Sequence, residues 1–521
     1  MAYNGENKNK NKISISKKFG KSGVKKMKKF WTGSRLLALL VLTAFMAAGC
    51  GSKGVQEYKL DPKNPTAITI WHYYNGAQQT AFDQAVAEFN DTVGYEKGIV
   101  VEAYSQGNIN ELTQKVIASA NKEVSAEELP DVFAAYADTA YTLDQLGLAA
   151  SLDPYLSKED LAAYVDGYID EGRIDGEEQL KIFPVAKSTE VLMVNKTDWD
   201  KFAQATSASY DDLATIEGLT KTAEAYYQWT DSLTEAPDDG KAFFGRDALA
   251  NYMIIGNRQL GNEIFEVHNG EATINVDKAI YKRLWENYYV PMVQGYFAAH
   301  GRFRADDASA GDIIALVGST TGATYFPQQV VLNDNETYPI EAVTLPAPIF
   351  EGGERYAVQQ GAGMMVVKST PEKEYAATVF LKWFTDDERN IDFSVRSGYL
   401  PVKKSANDWA KIEPVFEEQS SSAANIMLED TVHVAIDVVS QSKMYTNKPF
   451  DKGTWARSVL ENNMADQIDR DLALIESRMS DGMSRAEAVE PFISEAHFEE
   501  CFAEFSQALS TPPDSGAQAA E

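Results

Sequence analysis

The chain has 521 residues, 44% hydrophobic and 24% charged, a water-soluble globular composition long enough for two or three domains. Residues 1–49 hold ten lysines, Arg35 and one acid, Glu6; that net +10, against −29 overall, leaves −39 on residues 50–521. A body that acidic repels phosphate backbones and anionic lipid, which excludes nucleic-acid binding, and two cysteines, Cys50 and Cys501, exclude a disulfide framework.

The basic segment precedes Leu36–Ala48, an uncharged apolar run of 13 residues. Spanning a bilayer takes about 20 helical residues, so the run is too short for a membrane span. With Lys28, Lys29 and Arg35 in front and Ala47-Ala48-Gly49 behind, it reads as a secretory signal over residues 1–49. Met27 would start a signal of ordinary length. Cys50, directly after the small residues, resembles the cysteine of a bacterial lipoprotein box, although Ala47 stands where the box usually has Leu. The resemblance implies a diacylglyceryl anchor on Cys50 and leaves Cys501 a free thiol. Residues 50–65 read as a flexible tether and residues 511–521 as a frayed tail.

From residue 67 strands and helices alternate. Ala67–Trp71, Ile99–Tyr104 and Asp131–Ala135 are short apolar, β-branched runs. Between them, Gln78–Asn90 and Ile109–Ala120 carry apolar residues at helical spacing. This pattern predicts βαβ units and a parallel sheet, an α/β fold. Val191–Asn195, Ile313–Val317 and Met364–Val367 read as further buried strands. Thr370-Pro371 opens a helix, and residues 455–479 mark a long amphipathic one that stops at Gly482. Ser484 with Glu487 forms the capping box of the next helix.

Metalloprotease, nucleophile-elbow and phosphate-loop motifs are absent, and the five histidines are isolated in sequence. No cofactor, metal or catalysis is therefore expected. What remains is polar and aromatic residues at strand ends, where open α/β sheets bind ligands: Trp71, Tyr73 and Tyr74 after the first strand, Asp138 after the third, and Ser319 and Tyr325 near residue 317. Aromatic faces mixed with Asp and Ser suit a sugar.

Five ordered stretches carry a family resemblance: ITIWHYYNG, LPDVFAAYAD, FPVAKSTEVLMVNKTDWDKF, GDIIALVGSTTGATYF, and the run from GAGMMVV to SGYLPV. Together they resemble the bacterial extracellular solute-binding proteins of ABC importers, of the maltose-binding type. The resemblance implies two α/β lobes, residues 66–185 with 347–395 and residues 190–342 with 398–510, closing on a ligand cleft. Hinge strands are implied near Pro184–Glu190, Ala342–Leu345 and Arg396–Pro401. Implied site positions are Trp71, Tyr73, Asp138, Glu190, Ser319, Tyr325 and Trp455. The chain has Ala134-Ala135 and Ser319-Thr320 where some members carry Trp, which leaves the ligand open. The implied function is capture of a small polar solute, a sugar, by a monomer that delivers it to membrane permease subunits. A sensory or structural surface lipoprotein with the same fold, or a secreted carbohydrate-active enzyme, are the alternatives.

Overall fold

The apolar strand Thr66–His72 sits inside a five-stranded sheet whose order is 99–105, 66–72, 132–135, 363–366, 182–183. The structure, a computed structural model, describes residues 55–174, 179–333, 336–417 and 422–512. The signal run, Cys50 and residues 513–521 of the tail lie outside them. A second sheet has the order 342–346, 190–195, 315–319, 244–246. The uniformly parallel arrangement expected from the alternation is corrected. Among the described residues of these two sheets, only the pairs of Thr66–His72 with its two neighbours, and of Phe244–Arg246 with Ala315–Ser319, are parallel. Gly363–Val366 and the other pairs of the second sheet run antiparallel. A single crossover helix fixes direction only for the strands it joins. Gly363–Val366 instead enters after the chain has visited the other sheet.

Local signals set the helix ends. Asn108 and Glu111 form a capping box for Ile109–Ala120, and Ser484 and Glu487 do the same for Arg485–Val489. The long helix Gly453–Ser480 is uninterrupted, and Gly482, at φ 97°, ends it in a conformation that favours glycine. Among the described residues no helix is long and apolar enough to cross a membrane.

Glu190–Asn195 is buried along its whole length. Successive side chains point to opposite faces, so Val191 and Met193 enter one core while Leu192 and Val194 enter the other. Just before this strand the chain crosses between the lobes. Lys187 bridges to Leu400 and Ser188 to Gln360, and the Thr189 hydroxyl donates to the Val358 carbonyl at 2.7 Å. The third crossing segment is thus residues 358–361. Ala342–Leu345, expected at the hinge, belongs to a strand of the second sheet.

Part of the stretch read as tether is docked. The Gln56 amide donates to the Pro154 carbonyl at 2.7 Å, the Tyr58 ring packs 5.7 Å from that of Tyr375, and Leu60 packs on the first core.

Two groups report on this packing. Cys501 is buried and has no disulfide partner among the described residues, and burial pushes its thiol up to about 12. The native protein is expected to resist a thiol reagent at pH 8 and to react at Cys501 once denatured; fast native labelling there would contradict the burial. His72 is fully buried, and burial pushes its imidazole down to about 4. The unfolded ring titrates near 6.5, so acid favours the unfolded chain. Stability that is complete above about pH 6.5 is lost as pH falls through about 4. His72→Asn should be less stable overall yet show a shallower fall across that window; equal slopes in pH-dependent urea melts would refute the assignment.

Candidate functional site

Between the two sheets lies a cleft of about 530 Å³, within the roughly 300–1,000 Å³ range of small-molecule sites. The first sheet supplies Tyr136 and Asp138 to it. Val132–Ala135 ends at Ala135, Tyr136 is the N-cap of helix Ala137–Gln145, and Asp138 sits in its first turn, where a helix favours a carboxylate. Burial pushes the Asp138 carboxyl up, with Arg457 pulling the other way. Tyr136 leaves 45% of its surface open. Tyr399 also lines the cleft, with Tyr73 next to it.

The second lobe supplies Arg457, Asn251 and Ser319. Gly453 and Arg457 are four residues apart on the long helix and so share a face; both line the cleft. Behind them runs a polar chain. Arg457 Nη2 donates to Asn251 Oδ1 at 2.7 Å, Asn251 Nδ2 donates to Glu190 Oε1 at 2.7 Å, and Arg246 Nη2 donates to Glu190 Oε2 at 2.7 Å. Burial pushes the Glu190 carboxyl up, countered by Arg246. At the floor, Lys187 Nζ donates to Glu171 Oε2 and to the Gly361 carbonyl, both at 2.6 Å, and Gln359 Nε2 donates to Glu171 Oε2 at 2.8 Å.

Of the residues singled out from sequence, Asp138 and Ser319 line this cleft. Glu190 stands one hydrogen bond behind it, holding Asn251. Tyr73 stands behind Tyr399. The others are placed elsewhere. The first strand continues through His72, so Trp71 is paired in register with Phe133 and Tyr104 and is 4% exposed in the first core. Tyr74 is buried against His72, Phe82 and Phe393. Tyr325 is 78% exposed and outside the lining. Trp455 packs on the second core; it sits two residues, about 200°, around the helix from Arg457. The sequence reading missed Arg457, Asn251 and Tyr399 as cleft residues. The closing Gly-Tyr-Leu-Pro motif contained Tyr399, and Arg457 lies two residues past Trp455.

Two α/β lobes, crossing strands and a polar, tyrosine-walled cleft between them define a two-lobed ligand-binding protein. The chain belongs to the bacterial extracellular solute-binding proteins, whose family model matches residues 84–420. Solved structures agree on the fold. A cyclic α-maltosyl-1,6-maltose binding protein from Arthrobacter globiformis is 18% identical with a TM-score of 0.61, over 85% of this chain and 98% of that one. UgpB from Mycobacterium tuberculosis, in complex with glycerophosphocholine, is 17% identical with a TM-score of 0.59, over 85% and 98%. A substrate-binding protein from Listeria monocytogenes, in complex with cycloalternan, is 16% identical with a TM-score of 0.57, over 86% and 99%. No curated protein matches the chain in sequence.

The raised Asp138 carboxyl gives a test. An ionised group held above its unfolded titration range destabilises the native state at pH values above its native pKa, and the penalty disappears below the unfolded value of about 3.9. Asp138→Asn should therefore melt higher than the parent at pH 7, with the gap closing towards pH 3.5. A variant that melts lower at pH 7 would show that Asp138 is held mainly by its attraction to Arg457.

Proposed function

We propose that the cleft binds a neutral polyhydroxylated solute, a sugar or short oligosaccharide, and that the protein delivers it to the permease of an ABC importer without catalysis of its own. The observation that carries this reading is the charge balance of the site. Lys187 is matched by Glu171, Arg246 by Glu190, and Arg457 faces Asp138. Among the described residues each cation of the site has a carboxylate beside it, with which an anionic ligand would compete, and an uncompensated charge is costly to bury. Hydroxyls can donate to the carboxylates and accept from Asn and Arg, while the open face of Tyr136 suits the C–H side of a ring. Structural neighbours in complex with cycloalternan and bound to maltotriose support the same class.

In this reading the two lobes are joined by crossings near residues 184–190, 358–361 and 396–401. They close because only the closed form satisfies contacts from both sides. The protein acts as a monomer at the outer face of the cytoplasmic membrane, tethered by a lipid on Cys50.

Thermal-shift measurements against maltotriose, mannotriose, cycloalternan and glycerophosphocholine test the reading. A true ligand at 100 times its Kd adds about 2.7 kcal/mol of stability. A sugar should raise the melting temperature and glycerophosphocholine should leave it unchanged; the reverse outcome would sink the proposal. Tyr136→Ala should then weaken the sugar by about tenfold, roughly 1.4 kcal/mol, with little change in ligand-free melting.

A further inference from the structure

One face of helix Ala137–Gln145 meets the second lobe at two successive points. Asp138 and Tyr141 are three residues apart and so lie on the same face. Each meets a glycine. A Cβ on Gly453 would stand 3.5 Å from Asp138 Oδ1, and a Cβ on Gly270 would overlap the Tyr141 hydroxyl. Gly270 is at the tip of a hairpin, Phe265–His268 with Glu271–Ile274, paired antiparallel. Asn269 and Gly270 both have positive φ, 53° and 75°, the two-residue turn whose twist matches the flanking strands. The hairpin is fixed to its own lobe. Phe265 packs 5.1 Å from Phe450 in the second core, and the Asp451 amide donates to the Gly270 carbonyl at 3.0 Å. The loop holding Phe450 and Asp451 itself reaches across: Lys448 Nζ donates to the carbonyls of Asp170 and Arg173 on the first lobe.

Hairpin tip, loop and helix therefore converge beside Asp138, Asn447 and Gly453, which line one end of the cleft. We propose that the hairpin 265–274 is a clasp: its tip seats on Tyr141, caps that end of the cleft and limits the solute to a short one. The absence of a side chain at Gly270 lets the backbone reach the tyrosine, and Lys448 adds a second strut beside it. The capping role rests on the solute occupying this cleft; the clasp itself does not.

Nitroxide labels on Leu146→Cys and Leu233→Cys, exposed sites on the first and second lobes, read the separation of the lobes in the ligand-free full chain. Gly270→Asn adds bulk while tolerating positive φ. It should shift the distance distribution to longer values, and Tyr141→Ala in the same chain, by making room, should shift it back. Unchanged distances in Gly270→Asn would overturn the clasp, as would a shift that Tyr141→Ala fails to reverse, since that would be a disturbance of the turn alone. The series maltose to maltoheptaose then serves as a length probe. Gly270→Asn should gain about tenfold in affinity for the longer chains relative to the parent, about 1.4 kcal/mol. An identical length preference in both proteins would overturn the cap. No binding by either protein at any length would instead count against the sugar reading, while the label distances still decide the clasp.

Discussion

Taking an ammonium out of water carries an effective penalty of several kcal/mol, and Lys187 is nonetheless among the largest fully buried side chains of the protein. It is tolerated because Glu171 and the Gly361 carbonyl receive it and because Gln359 fills a further bond to the same carboxylate. The four residues come from three separate places in the chain, and Lys187, Gln359 and Gly361 lie on the segments that cross between the lobes. Removing one partner leaves an uncompensated charge, so these segments can meet in only one register. The position of the two sheets relative to each other, and with it the width of the cleft, follows from where this pair sits.

The same logic extends upward into the site. Arg457 and Asn251 line the cleft and are bonded to each other, and behind them, outside the lining, Glu190 steadies Asn251 and Arg246 offsets Glu190. Such chains keep donors and acceptors aimed before a ligand arrives, and less ordering then remains to oppose binding. The arrangement also explains why a residue like Glu190, paired in register with Ser319 at the end of the second sheet, can matter to the site without lining it.

What was legible in the sequence was whatever local physics decides. The cap at Ser484 and the stop at Gly482 are set by neighbours within a few residues, and they appear in the structure as read. Buried strands were visible as apolar runs, but their direction was not, because Gly363–Val366 enters its sheet only after the long excursion over residues 184–362. The site was half visible for the same reason. Asp138 and Ser319 follow strands directly, whereas Arg457 and Asn251 reach the cleft only through the packing of two helices on the second core. The aromatic signal misled where large rings followed a strand: Trp71 and Tyr74 belong to the sheet and its packing helices.

That last displacement has an optical consequence. Among the described residues the cleft wall contains tyrosine but no tryptophan; Trp71 lies in the first core and Trp455 against the second. The indoles of the described residues therefore sit in or against the two cores, and none of them lines the cleft. Any change in indole emission on adding a solute reports strain or rearrangement transmitted into a lobe, not the contact itself. A spectroscopically quiet titration is accordingly compatible with tight binding, and an optical sensor built on this scaffold needs a dye placed at the cleft rim.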